Sequence, residues 1–173
     1  MTDKLIKIFL IGFMGSGKTF YAKPLSELLK IDFIDLDDYI EKNNNIRITQ
    51  IFEEKGEEVF REYEQIALRE IIENNNKFVL ATGGGTPCFN KNIELINSHG
   101  ISIYLKCNAD ELYKNILLSN PNRPMLQGKN DDDLLEHISQ LLLIREPYYE
   151  QAKIVLTSEN HNPKKIFDII KNY

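Results

Sequence analysis

Strand-like apolar runs and amphipathic helical segments alternate along almost the whole chain, which predicts an α/β protein in three layers, α/β/α, with a five-stranded parallel sheet at its centre. The β-rich runs fall near residues 4–11, 32–36, 77–82, 101–105 and 153–157. Helical segments fall near 18–30, 37–43, 47–55, 57–74, 90–98, 109–119, 131–151 and 163–172. A length of 173 residues suits one domain, 1–173, with a core of its own. In such a sheet ligands gather where the strands end. The residues just after each strand are therefore the ones that should carry chemistry.

The first strand, K-L-I-K-I-F-L-I at Lys4 to Ile11, runs into Gly12-Phe13-Met14-Gly15-Ser16-Gly17-Lys18-Thr19. That octet fills every fixed position of the phosphate-binding pattern G-x-x-x-x-G-K-[ST]. A helical segment follows, with Leu25, Leu28 and Leu29 on its apolar side. A glycine turn between strand and helix aims backbone N–H groups at an anion, and the helix N-terminus adds partial positive charge. Lys18 would reach the β- and γ-phosphates, and the Thr19 hydroxyl would ligate Mg²⁺. The nucleotide-binding candidates are Gly12, Gly15, Ser16, Gly17, Lys18, Thr19 and, in the first helical turn, Phe20. Pro24 removes one backbone donor in the second turn but leaves the phosphate-facing first turn intact.

The second strand ends in Asp35-Leu36-Asp37-Asp38. Alternation along a strand would point Asp35 and Asp37 the same way. One carboxylate can hold the metal and its water, while the other takes or orients the proton of an attacking hydroxyl. Asp38, beside the next helix, is the expected cap. The helical segment after it carries Phe60-Arg61-Glu62-Tyr63-Glu64, in which Arg61 and Glu64 share a face. Taken alone, that spacing fits a surface ion pair as well as a binding site.

The third strand leads to Thr82-Gly83-Gly84-Gly85, where three glycines leave backbone N–H groups open to a ligand. The third strand does not end in the conventional second acidic motif, an apolar strand closing on Asp, and no N-K-x-D or D-x-x-G motif occurs, so water-activating ATPases and GTPases fit poorly. Between Asn120 and Asp133 the periodicity dissolves into Pro, Gly, Asn and Asp around Arg123. A polar loop of that length is a functional lid or a mobile connector, and the lone arginine favours a lid. Arg145 follows the apolar run Leu141 to Ile144, where it is either a ligand-binding fork or a cation near a helix end.

Composition bounds the partners. A formal charge of −5 excludes a nucleic-acid groove or an anionic membrane as the main partner. No apolar run approaches the ~20 residues that span a bilayer, and the first residues lack the form of a signal peptide. Cys88 and Cys107 have no metal or redox spacing, and the three histidines share none, so reduced thiols in a cytoplasmic protein are expected. Arginine is scarce, at Arg47, Arg61, Arg69, Arg123 and Arg145 only, which makes each more apt to be wanted for its bidentate fork.

In order and spacing, G-F-M-G-S-G-K-T, D-L-D, F-R-x-x-E, G-G-G, R-P-M-L and R-x-P-x-Y at 12–19, 35–37, 60–64, 83–85, 123–126 and 145–149 resemble the shikimate kinase family nearly end to end. The resemblance implies a P-loop kinase fold of the nucleoside-monophosphate-kinase type, with mobile lid and substrate segments. It implies a monomer that moves the γ-phosphoryl of ATP to the 3-hydroxyl of shikimate, with Mg²⁺, in chorismate biosynthesis. By that likeness Asp37 contacts the accepting hydroxyl, and Asp35 holds Mg²⁺ with Thr19. Arg61, Glu64, Gly83, Gly84, Gly85 and Arg145 bind shikimate, Arg123 closes over the phosphates as a catalytic group with Asp37 and Lys18, and Thr82 stands near the metal.

Two departures concern the adenine side. Lys114-Asn115-Ile116 lacks the arginine that stacks on the base in many relatives, and His161 stands near a second such position, so base selectivity should be loose. The lid motif ends in Met-Leu where Leu-Leu is more usual. The competing readings are a kinase of another polyol acid such as gluconate, a nucleoside monophosphate kinase, and a catalytically silent nucleotide-binding module.

Overall fold

The computed structural model describes residues 6–119 and 131–173. Strands β1 (Ile6–Ile11), β2 (Asp32–Asp35), β3 (Lys77–Ala81), β4 (Ile101–Lys106) and β5 (Ile154–Thr157) form one sheet in the order β2-β3-β1-β4-β5, with every pair parallel. Parallel neighbours require crossovers, which the helices supply: α1 (Lys18–Leu29), α2 (Leu36–Asn44), α3 (Ile48–Asn74), α4 (Asn92–His99), α5 (Ala109–Ser119), α6 (Asp131–Tyr149) and α7 (Pro163–Asn172). The expected three-layer architecture is present.

The period-2 alternation of the strands divides the core in two. Phe9, Ile11, Phe78, Leu80 and Tyr104 point to the face covered by α2 through α6. Ile8, Leu10, Val79, Ala81, Ile103 and Leu105 point to the face covered by α1 and α7. Central β1 is apolar on both faces because both are covered, and Ile8 through Ile11 are fully buried. No helix among the described residues is long and apolar enough to cross a membrane.

The two helical segments expected at 47–55 and 57–74 form one element, α3, broken in the middle at Gly56 (φ 83°, ψ 172°). No atom lies within 4 Å of where its Cβ would be, so the backbone angle, and not lack of space, calls for glycine there. Gly100 shows the opposite case. Its φ of −168° is ordinary extended backbone, but a Cβ would run into the Lys7 carbonyl and the Phe9 ring at 2.7 Å. Gly100→Ala should therefore lower stability by at least ~2 kcal/mol, read as a drop of several degrees in Tm. An unchanged Tm would show that the α4–β4 turn yields freely.

The expected lid at 120–133 lies outside the described residues except for its end, where residues 131–133 belong to α6. Arg123 is outside them as well.

Candidate active site

The ends of β1, β2 and β3 converge on a cavity of about 1070 Å³. It is lined by Gly15 through Tyr21, Asp35, Asp37, Thr82, Gly83 and Gly84, and by Glu111, Asn115, Ser158 and His161 on another side. The phosphate loop wraps the N-terminus of α1, with Gly15 and Gly17 both in left-handed conformation (φ 82° and 85°). The Lys18 ammonium donates to the carbonyls of Gly12 and Phe13, each at 2.9 Å. Burial pulls its pKa down to about 8 against the opposing pull of Asp37 and Asp35. The Ser16 hydroxyl is buried with no hydrogen-bond partner. A buried donor facing such a cavity is what a phosphate oxygen would satisfy.

Sequence reasoning missed how the loop is braced. The Asn115 side chain donates Nδ2–H to the Gly15 carbonyl at 2.9 Å, across 100 residues of sequence. A Cβ at Gly15 would meet Ile116 at 2.8 Å and the Leu112 carbonyl at 3.2 Å, so α5 seats directly on the loop. No local pattern in α5 signals this.

Asp35 serves two elements. Its Oδ2 accepts from the Thr19 hydroxyl at 2.8 Å. Its Oδ1 accepts from the backbone N–H groups of Asp37 (3.1 Å) and Asp38 (3.4 Å). The expectation that Asp38 caps the second helix is thereby corrected: α2 starts at Leu36, and Asp35 is its cap. Asp37 consequently sits in the first turn of α2, not in the strand, so strand alternation is not what aims it. It still lines the same cavity as Asp35. Burial first, then the Asp35 and Glu64 carboxylates, push Asp37 up to about 6, while Lys18 pulls the other way.

Thr19 and Asp35 present hard oxygen donors side by side at the phosphate loop. This fits Mg²⁺, which binds through one or two protein oxygens, phosphate oxygens and water. The Thr82 hydroxyl lines the cavity but donates to the Leu10 carbonyl at 3.1 Å, tying β3 to β1.

The three glycines each face a different functional group. A Cβ at Gly83 would lie 2.8 Å from Glu64 Oε1 and 3.1 Å from Asp37 Oδ1. At Gly84 it would come 3.2 Å from the Met14 N of the phosphate loop and 3.7 Å from Arg145 Nη1. At Gly85 it would press on the Arg61 guanidinium at 2.5–2.7 Å. The run is thus the floor on which Arg61, Glu64, Asp37 and Arg145 are assembled. Arg61, Glu64, Gly85 and Arg145 do not line the cavity themselves and border it through Gly83 and Gly84.

Arg61 and Glu64 are not a surface pair. Glu64 is fully buried, accepting from Arg61 Nη1 at 2.9 Å and from the Thr86 hydroxyl at 2.6 Å. The Arg61 guanidinium lies over Phe89 at 4.2 Å. Arg145 lies over the Phe13 ring at 5.7 Å, and no carboxylate pairs with it among the described residues. Tyr149, four residues on, donates its hydroxyl to the Gly84 carbonyl at 2.5 Å, so α6 is pinned to the glycine floor. Gly85→Ala would displace Arg61, and a rise of about tenfold in the KM of an acid substrate, with the nucleotide KM unmoved, is the expected result; equal kinetics would show that the guanidinium shifts without consequence.

On the other wall, His161 Nε2 lies 2.9 Å from the Leu156 carbonyl and its Nδ1 3.9 Å from Cys107 Sγ, while its ring packs on Tyr21 at 5.7 Å. Burial lowers its pKa, against the opposing pull of the Leu156 carbonyl and Glu111. Asn115 and His161 stand where arginine was missed in the sequence, and no arginine lines the cavity among the described residues.

Residues 14–173 match the family model described as shikimate kinase. A shikimate kinase of Bacteroides thetaiotaomicron is 41% identical over 155 residues, covering 90% of this chain and 88% of that protein. A crystal structure of shikimate kinase from the same organism superposes with a TM-score of 0.90 at 36% identity, over 96% of this chain and 98% of the other. The Acinetobacter baumannii shikimate kinase, solved in complex with shikimate, gives a TM-score of 0.84 at 34% identity, over 98% and 95%. Fold, site geometry and these likenesses agree, and the chain belongs to the shikimate kinase family.

Proposed function

We propose that this chain transfers the γ-phosphoryl group of ATP to the 3-hydroxyl of shikimate, giving shikimate 3-phosphate and ADP, the step that the family performs in aromatic biosynthesis. The observation that carries the reading is the meeting of two unlike sites at one floor. A phosphate loop with an unsatisfied Ser16 hydroxyl lies on one side of Gly83–Gly85, and Arg145, with no carboxylate partner among the described residues, lies with the buried Arg61 on the other. Asp37 stands between them.

Each residue then has a task. The backbone N–H groups from Gly12 to Thr19, with Phe20 beside them, cradle the phosphates, and Lys18 leaves its loop carbonyls for the β- and γ-oxygens. Arg145 and Arg61 take the acid group of shikimate, which a planar fork grips with paired hydrogen bonds. Glu64 holds Arg61 in place. Asp37, its pKa pushed up to about 6, orients and accepts the proton of the 3-hydroxyl. Thr19 and Asp35 are the residues that would hold Mg²⁺, which when bound neutralises charge on the transferring phosphoryl group. Arg123, outside the described residues, is assigned to the phosphates by the family motif alone. A cytoplasmic monomer fits the two free thiols and the supply of every assigned residue by one chain.

The regiochemistry is testable by phosphorus NMR of the product. One ester resonance coupled to the proton on carbon 3 is expected. Coupling to another carbinol proton would move the acceptor and undo the placing of Asp37.

A further inference from the structure

All three guanidinium nitrogens of Arg61 already touch a carboxylate of the protein. Nη1 donates to Glu64 at 2.9 Å, while Nε (3.2 Å) and Nη2 (2.9 Å) both donate to a single oxygen, Oε1, of Glu57. The Nε and Nη2 edge is a side that an incoming carboxylate grips with two parallel bonds. One face of the planar guanidinium lies over the Phe89 ring, and Gly85 crowds its Nη end. The Nε and Nη2 edge is therefore valuable, and Glu57 sits on it.

The two carboxylates differ in how firmly they are held. The Glu64 side chain is 1% exposed and is also held by Thr86; the Glu57 side chain is 55% exposed, and among the described residues its hydrogen bonds and ion pair go to Arg61. Glu57 also directly follows Gly56, the left-handed break in α3 with open space around it. Release of Glu57 into water would disturb nothing else, whereas release of Glu64 would strand a buried charge.

We propose that Glu57 is a tethered competitor for the acid group of the substrate: it occupies the Nε and Nη2 edge of Arg61 in the empty enzyme and is displaced when the substrate carboxylate binds. This rests on the reading above that Arg61 receives that acid group. Glu57 thereby keeps Arg61 extended and in register while holding the affinity for shikimate below what the two arginines alone would give. A neutral ligand, which does not take that edge with paired charge-assisted bonds, stands outside this competition.

The test is calorimetric titration of the full-length protein with shikimate and with its neutral amide, comparing wild type, Glu57→Gln, Glu57→Ala and Arg61→Gln. The proposal expects Glu57→Gln to bind shikimate about threefold to fivefold more tightly, and Glu57→Ala at least as much, since an exposed ion pair is weak and its loss is modest. Neither variant should tighten binding of the amide by the same factor, a distinction that a purely structural role for Glu57 would not produce. Unchanged or weakened shikimate binding in both Glu57 variants, with Arg61→Gln strongly weakened, would overturn the competitor and leave the site assignment standing. Undiminished shikimate binding in Arg61→Gln would overturn the site assignment, and the competitor with it.

Discussion

Asp37→Asn should lower kcat by about 10²–10⁴-fold while ATP affinity stays within about twofold, because the change removes a proton acceptor and leaves the phosphate loop whole. Two further consequences separate this from a general loss of integrity. In the wild type, kcat/KM should fall as pH drops through about 6, where Asp37 takes up its proton. Secondly, the carboxyl is pushed above its ordinary 3.8, so the fold favours the protonated form. Its contribution to stability is therefore full below pH ~4 and is lost as pH rises through ~6, a loss of about 2–3 kcal/mol by neutral pH. The amide, which has no charge to bury, should raise Tm by several degrees at pH 8 and bring little gain at pH 4. A variant that is inactive yet more stable at neutral pH is the signature of a group held for chemistry against the preference of the fold. A variant that loses ATP affinity in step with kcat would show that Asp37 serves the nucleotide instead.

Arg145→Ala should raise the KM for shikimate about 10–100-fold with the ATP KM nearly unchanged, since it removes charge-assisted hydrogen bonds worth about 1.5–3 kcal/mol from the acid side only. The structure sharpens this over Arg61, whose loss would also leave Glu64 buried and unpaired and so mix stability with binding. Arg145 has no such dependent carboxylate among the described residues, so its removal is the cleaner probe. Steady-state kinetics with each substrate varied decides it, and an unchanged shikimate KM would remove Arg145 from the acid site.

The parts of the fold that were legible beforehand are those where local pattern and tertiary setting carry the same information. β1 is an uninterrupted apolar run because both its faces are covered, and the octet after it can do little but wrap an anion. The break at Gly56 separates two helical segments in the sequence as it does in space. Asp38 was misread as a cap because the strand was extended one residue too far; with β2 ending at Asp35, the strand's last side chain becomes the helix's first acceptor. Sequence spacing put Arg61 and Glu64 on one helical face but held nothing to say that this face is buried. That depends on Thr86 and Phe89, more than twenty residues away. The same holds for the Asn115 brace on Gly15 and the Tyr149 pin on Gly84, contacts across 100 and 65 residues. Glu57 was passed over because its meaning lies in which edge of Arg61 it occupies, a matter of angle rather than of spacing.

Release of ADP from Mg·ATP by the purified protein, with shikimate, with gluconate and with no acceptor, tests the assignment of reaction and substrate most directly. The account predicts strong stimulation by shikimate and none by gluconate over the rate without acceptor. Stimulation by gluconate, or ATP binding with no stimulation by shikimate, would contradict it and leave only the phosphate loop standing.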